Sequence, residues 1–169
     1  MAPAAGNDQQ HREVVTSPLW RPKVYLDTSV ICAFFDDRAP DRQKLTQEFW
    51  NQRWPSFRGM ISTAVLQEIK ATPSDARRRE MHELAEPLEV LAPLEQAEDL
   101  ALDYQERGIF SLRTAVDGLH VAIAVTNGTG YLASWNFKHL VRVSIRREVN
   151  LVNSLKGYDP IEIIAPPEL

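Results

Sequence analysis

The chain has little cysteine, no basic excess and no long apolar run. Cys32 is its only cysteine, so no internal disulfide braces the fold, and a reducing, cytoplasmic setting fits. Val30, Ile31, Ala33 and Phe34 surround it, which predicts a buried core thiol. No apolar stretch approaches the ~18 residues of a membrane span. The N-terminus lacks the hydrophobic run of a secretory signal. The formal net charge is -4 and the sequence pI about 5.6, not the basic signature of a general nucleic-acid binder. No internal repeat is visible. No Gly-x-Gly-x-x-Gly follows the first apolar run, which argues against a dinucleotide-binding protein.

What is present describes one globular domain with room for a core: 169 residues, 44% hydrophobic and 25% charged. The charge is unevenly spread. Glu80, Glu83, Glu86, Glu89, Glu95, Glu98, Asp99, Asp103 and Glu106 face one base, Arg107. Further on, Lys138, Arg142, Arg146, Arg147 and Lys156 stand against Glu148 alone. The second stretch suits a phosphate-bearing partner; both stretches also suit solvated helix faces.

Residues 1–22 read as a flexible arm rich in Ala, Pro, Gly, Asn and Gln, and residues 23–169 as the domain. The domain alternates short apolar runs with helical patterns, which predicts an α/β fold with a parallel sheet and helices on both faces. Strands are expected at Val24–Leu26, Met60–Ser62, Leu88–Leu91, Tyr131–Ser134 and Ile161–Ile164. Helices are expected from Thr28, over Asp41–Trp54, from Ser62 to before Pro73, and over Asp75–Glu86, Gln96–Glu106, Ala115–Thr126 and Ser144–Lys156. Leu45, Phe49, Trp50 and Trp54 form an apolar stripe on the second helix.

Four polar residues stand where ligands meet such sheets. Asp27 directly follows the first strand, facing the carboxyl edge or capping the next helix. Glu68 falls about 60° from Val65 on its helix, at the border of the apolar face. Asp117 lies in an apolar helix, as a buried carboxylate or as part of a cap with Thr114. Asn136 follows Ser134-Trp135 and can offer a carbonyl oxygen or form a turn. His120, one turn beyond Asp117, reads as a satisfied core residue or a ligand. Three carboxylates about 5 Å apart would repel by about 3 kcal/mol per pair at an effective dielectric near 20. A divalent cation offsets that. An all-oxygen set favours Mg²⁺ or Mn²⁺ over Zn²⁺, and such sites typically act on phosphates.

Val24-Tyr25-Leu26-Asp27-Thr28-Ser29, Val65-Leu66-Gln67-Glu68-Ile69, Val116-Asp117-Gly118-Leu119-His120 and Leu132-Ala133-Ser134-Trp135-Asn136-Phe137-Lys138-His139-Leu140 occur in the order of the PIN-domain motifs. The chain resembles the VapC-like toxin side of that family from Lys23 to Ala165. The resemblance implies a three-layer α/β/α fold and metal-dependent cleavage of RNA by an endoribonuclease. Asp27 and Asp117 would hold a first Mg²⁺ or Mn²⁺ with Glu68 beside them. Asn136 would take a fourth position that is an aspartate in many members, which bears on a second cation. Ser134 would orient water or phosphate. Lys138, His139, Arg142, Arg146 and Arg147 are candidate contacts to the RNA backbone. A toxin of this kind implies a small antitoxin partner. Pairing in such toxins, with the Leu45/Phe49/Trp50/Trp54 stripe, points to a homodimer. A PIN shell that binds RNA or protein without cutting is the alternative.

Overall fold

The computed structural model describes residues 21–169. The arm expected over residues 1–22 therefore lies outside the described residues, apart from Arg21 and Pro22.

Five short strands form one parallel sheet. They are β1 (Lys23–Leu26), β2 (Arg58–Ser62), β3 (Glu89–Leu91), β4 (Tyr131–Ala133) and β5 (Glu162–Ile164), in the order β3-β2-β1-β4-β5. Central β1 pairs with β2 on one side, Tyr25 opposite Met60, and with β4 on the other, Tyr25 opposite Leu132. A strand covered on both faces reads as a continuous apolar run. Val24, Tyr25 and Leu26 are accordingly fully buried.

Among the described residues seven α-helices cover the sheet: α1 (Thr28–Phe34), α2 (Pro40–Glu48), α3 (Thr63–Lys70), α4 (Asp75–Ala85), α5 (Glu95–Glu106), α6 (Ala115–Thr126) and α7 (Val143–Leu155). Helices α1 to α4 pack among themselves, and α5 packs on α6 and α7. The result is the expected α/β/α sandwich. Helix α6 is buried at Gly118 and from His120 to Val125, as its apolar surface requires. Ser62 and Ser74 cap α3 and α4 through their hydroxyls. Gly157, at φ +80°, closes α7 in the left-handed conformation that other residues resist.

Two expectations are corrected. The helix expected over Asp41–Trp54 stops at Glu48, and a wide π-helical turn over Phe49–Arg53 and a tight turn over Trp54–Ser56 follow it. Pro55 lacks the N–H that an α-helix needs. The wide turn also packs the aromatic stripe inward. Phe49 is buried, and Trp50 stacks on Trp54 with ring centroids 5.1 Å apart. Trp54 in turn covers Gly59, where an added Cβ would fall 1.8 Å from its ring. Of the stripe, Leu45 is exposed, Trp50 and Trp54 are half-buried and Phe49 is buried. The second correction is Cys32, which is exposed rather than buried. Helix α1 buries Val30, Ile31 and Ala33; at 100° per residue Cys32 falls outside their arc.

Candidate active site

The carboxyl ends of β1, β2 and β4 lie side by side, and each leads into a polar turn. Asp27 leaves β1 and caps α1, accepting the Ser29 N–H at 2.8 Å. The capping and site-facing readings of Asp27 thus hold together. The Ser29 hydroxyl donates to the same oxygen, Oδ1, and the Ser134 hydroxyl donates to Oδ2 at 2.6 Å. Ser134 is fully buried and Asp27 nearly so. Burial raises the Asp27 carboxyl above its usual range, against the hydrogen bonds from Ser134 and Ser29 and the attraction of His120.

Glu68 lies half-buried at the border of the apolar face of α3. Its Oε2 accepts the His120 Nε2–H at 3.1 Å and the Thr28 hydroxyl. Burial raises the carboxyl, but the bonds from His120 and Thr28 outweigh it and hold Glu68 below the usual range. His120, 3% exposed, is both a satisfied core residue and a site residue. Its Nδ1 lies 2.7 Å from the Tyr25 hydroxyl, which lies 2.6 Å from the Ser62 hydroxyl. With Nε2–H directed at Glu68, Tyr25 donates to Nδ1 and Ser62 donates to Tyr25, so every group in the chain is satisfied.

Asp117 stands in the first turn of α6 and takes no part in capping it. Thr114 instead turns back to accept the Ser111 N–H at 2.9 Å. Asp117 Oδ1 accepts from Asn136 Nδ2 at 3.1 Å. Asn136 Oδ1 meanwhile accepts the His139 N–H at 3.1 Å. That bond fixes the amide's orientation, so Asn136 is a turn former that points a donor, not its carbonyl oxygen, at Asp117. Burial raises the Asp117 carboxyl, and the charge of Asp27 pushes the same way, against His139, His120 and the Asn136 bond.

The basic candidates divide. His139 is close enough to Asp117 to act on its charge. Lys138 and Arg142 are exposed in the following segment. Arg146 and Arg147 line a separate hollow with Val143, Asn150 and Glu162, and Glu162 pairs opposite Tyr131 at the amino end of β4. The hydroxyls of Thr28, Ser29 and Ser62, and Tyr25, are site residues that the sequence reading did not assign. The signal for two of them was their place directly after Asp27.

The donor set suits a hard cation, being carboxylate oxygens with no sulfur. Two of the three carboxyls are raised by burial, and a cation would favour their ionised form. Yet among the described residues no three His, Cys, Asp or Glu side chains already converge as a cation cage. Hydroxyl and amide donors engage the oxygens instead.

A family model described as PIN domain matches residues 24–135, more than half of the chain and including Asp27, Glu68 and Asp117. No curated protein matches. Among solved structures, VapC20 of Mycobacterium tuberculosis, described as a sarcin-ricin loop cleaving toxin, is 16% identical at a TM-score of 0.53, covering 82% of this chain and 98% of that one. VapBC-1 from nontypeable Haemophilus influenzae is 18% identical at a TM-score of 0.56, covering 85% and 98%. At these identities the two structures speak for the fold. With the family match over the segment that carries the three acids, they establish that the chain belongs to the PIN domain family.

Proposed function

We propose that the chain is an endoribonuclease dependent on Mg²⁺ or Mn²⁺, and the toxin of a toxin–antitoxin pair in the cytoplasm. One observation carries the reading. Three carboxylates from distant parts of the chain stand near the carboxyl edge of a parallel sheet, joined through Ser134 and Asn136 on one side and Thr28 on the other, and burial leaves two of them raised. A site so arranged is electrostatically incomplete without a cation. Asp27 and Asp117 would hold the ion with Glu68 beside them, and the ion would supply activation of water and polarisation of the scissile phosphate. Ser29 and Ser134 fix the Asp27 carboxylate, His120 and Thr28 fix Glu68, and Asn136 fixes Asp117, so the three arrive preorganised. Lys138 and Arg142, exposed in the segment after Asn136, supply positive charge for the RNA backbone, and His139 beside Asp117 offers a further contact. Arg146 and Arg147, around their own hollow, are better suited to an outlying stretch of RNA.

The VapBC-1 relative favours a small antitoxin partner for this chain too. A homodimer belongs to the same reading. Besides Leu45 of the stripe, Leu112, 88% exposed, and Val116, 49% exposed, at and before the start of α6, offer apolar surface for it. Light scattering that gives the mass of a monomer at micromolar concentration removes the homodimer.

A second reading, a PIN shell that binds without cutting, draws on Asn136, which donates a hydrogen bond to Asp117 where an acid would add a ligand. One experiment separates the two. The ribonuclease should show an Mn²⁺-dependent rise in Tm and Mn²⁺-dependent cleavage of RNA, both lost in Asp27→Asn and Asp117→Asn. A folded wild type with neither response is the silent shell.

A further inference from the structure

A second hollow lies beside the acid cluster. It is a cavity of about 330 Å³ walled by Cys32, Asp37, Arg38, Ser74, Arg77 and Met81. It opens between α1, the loop after it, and the turn that joins α3 to α4. The two sites are neighbours. Cys32 stands one helical turn past Thr28, about 6 Å along the axis. Thr28 bonds the Glu68 carboxylate, and the Thr72 hydroxyl lies 3.5 Å from the Glu68 carbonyl oxygen. Partial burial pushes the Cys32 thiol up, and the charges of Asp27 and Glu68 add to it.

Three features of the cavity suit a flat heteroaromatic ring. The Arg77 guanidinium is held rigidly, 5.3 Å over the Phe35 ring centroid, while donating to the Phe35 carbonyl oxygen. A fixed guanidinium plane is a stacking platform for an unpaired base. Cys32 Sγ, exposed and backed at 4.0 Å by the buried Met81 Sδ, gives a polarisable atom that packs well on aromatic rings. Asp37 is exposed and has no ion-pair partner among the described residues, whereas its neighbour Asp36 is held by Arg38 and Arg42. A free carboxylate offers two adjacent acceptors. Guanine presents two adjacent donors, N1–H and the N2 amino group. The other three bases present no such pair.

We propose that this cavity is a nucleobase subsite that takes an unstacked guanine of the RNA strand next to the bond to be cut. It rests on the ribonuclease reading of Asp27, Glu68 and Asp117 and adds a sequence preference to it. Recognition of RNA sequence works in this way, through splayed bases stacked on planar side chains and hydrogen-bonded at their edges.

Cys32 is exposed and is the only cysteine in the chain, so its alkylation by iodoacetamide reports occupancy of the cavity directly. The measurement runs in EDTA, with no cleavage. At twice its dissociation constant, guanosine 5′-monophosphate should slow alkylation about threefold. The adenosine, uridine and cytidine monophosphates should protect less at equal concentration. Arg77→Lys keeps the charge and removes the plane, and should weaken protection roughly tenfold. Asp37→Asn should erase the preference for guanine and keep the weak protection by adenosine monophosphate. Three results overturn the proposal: no protection by any mononucleotide at millimolar concentration, equal protection by ribose 5-phosphate, or protection by N-acetylarginine amide alone. The last would assign the cavity to a basic side chain of a protein partner. The two readings fail separately. A wild type that cuts RNA with Mn²⁺ but shows no protection refutes the subsite alone, and a chain that shows guanine protection but never cuts refutes the nuclease alone.

Discussion

Asn136→Asp changes little in shape and much in charge. The amide nitrogen 3.1 Å from Asp117 becomes a carboxylate oxygen, while the His139 N–H keeps its acceptor. Two unit charges about 4 Å apart repel by about 4 kcal/mol at an effective dielectric near 20. Asp117 is only half-buried, so solvent screening reduces the net loss, with the lost hydrogen bond included, to about 2 kcal/mol. For a domain of this size that lowers Tm by about 4–8 °C. The sign follows from linkage. The new pair holds a proton more tightly in the folded than in the unfolded chain, so the loss is full above the raised folded range, fades as pH falls through it, and is gone below the usual carboxylate range. The assay is a thermal melt in EDTA at about pH 7.5 and about pH 4, the lower close to the usual aspartate value, followed by Mn²⁺ addition at the higher pH. Mn²⁺ should raise the Tm of the variant more than that of the wild type, because charge count sets affinity in oxygen-ligand sites. An unchanged Tm in EDTA, or an equal drop at both pH values, refutes the placement of Asn136 against an ionised Asp117.

Asp27→Asn removes a buried charge. The raised Asp27 carboxyl gives stability below its unfolded range that is lost as pH rises through its folded one, so the variant should melt higher than wild type in EDTA at neutral pH while losing Mn²⁺-dependent cleavage. A lower Tm would show that the bonds from Ser29 and Ser134 outweigh burial. Tyr25→Phe deprives His120 Nδ1 of its donor and Ser62 of its acceptor, and should reduce stability by about 1–3 kcal/mol in urea unfolding; no change would dismantle the Ser62–Tyr25–His120–Glu68 chain. Gly59→Ala drives a methyl into the Trp54 ring. It should destabilise by about 1–3 kcal/mol and alter the near-ultraviolet circular dichroism of the Trp50–Trp54 stack, and an unaltered spectrum counts against that packing.

The sheet was legible because its strands are short apolar runs cut off by polar residues, and a parallel strand is apolar on both faces. Asp27 could be placed because it directly ends such a run. Glu68 could be placed because helix periodicity set it at the border of an apolar arc. Local pattern carries no more than that. The pairing of Glu68 with His120 spans 52 positions and depends on how α3 and α6 meet over β1. The orientation of Asn136 depends on a backbone N–H three residues later. Cys32 misled because the neighbours of a helical residue in sequence point in other directions in space. The wide turn after Glu48 is set by a proline together with stacking between Trp50 and Trp54, a tertiary contact. The guanidinium of Arg77 meets Phe35 across 42 positions, and no window along the chain contains both.

Asp27 is completed late. Its amide donates to the Ala133 carbonyl oxygen at 3.2 Å, and its Oδ2 takes a hydroxyl 107 positions further on. The Ser134 N–H is in turn tied to the Ile164 carbonyl oxygen at 2.9 Å, on the last strand. The Asp27 carboxylate is therefore held in two stages: Ser29 engages Oδ1 from the same turn, and Ser134 engages Oδ2 only once β4 has paired with β1. A chain cut short before β4 would keep the Ser29 bonds to Oδ1 and lack the Ser134 hydroxyl, leaving Oδ2 without its donor.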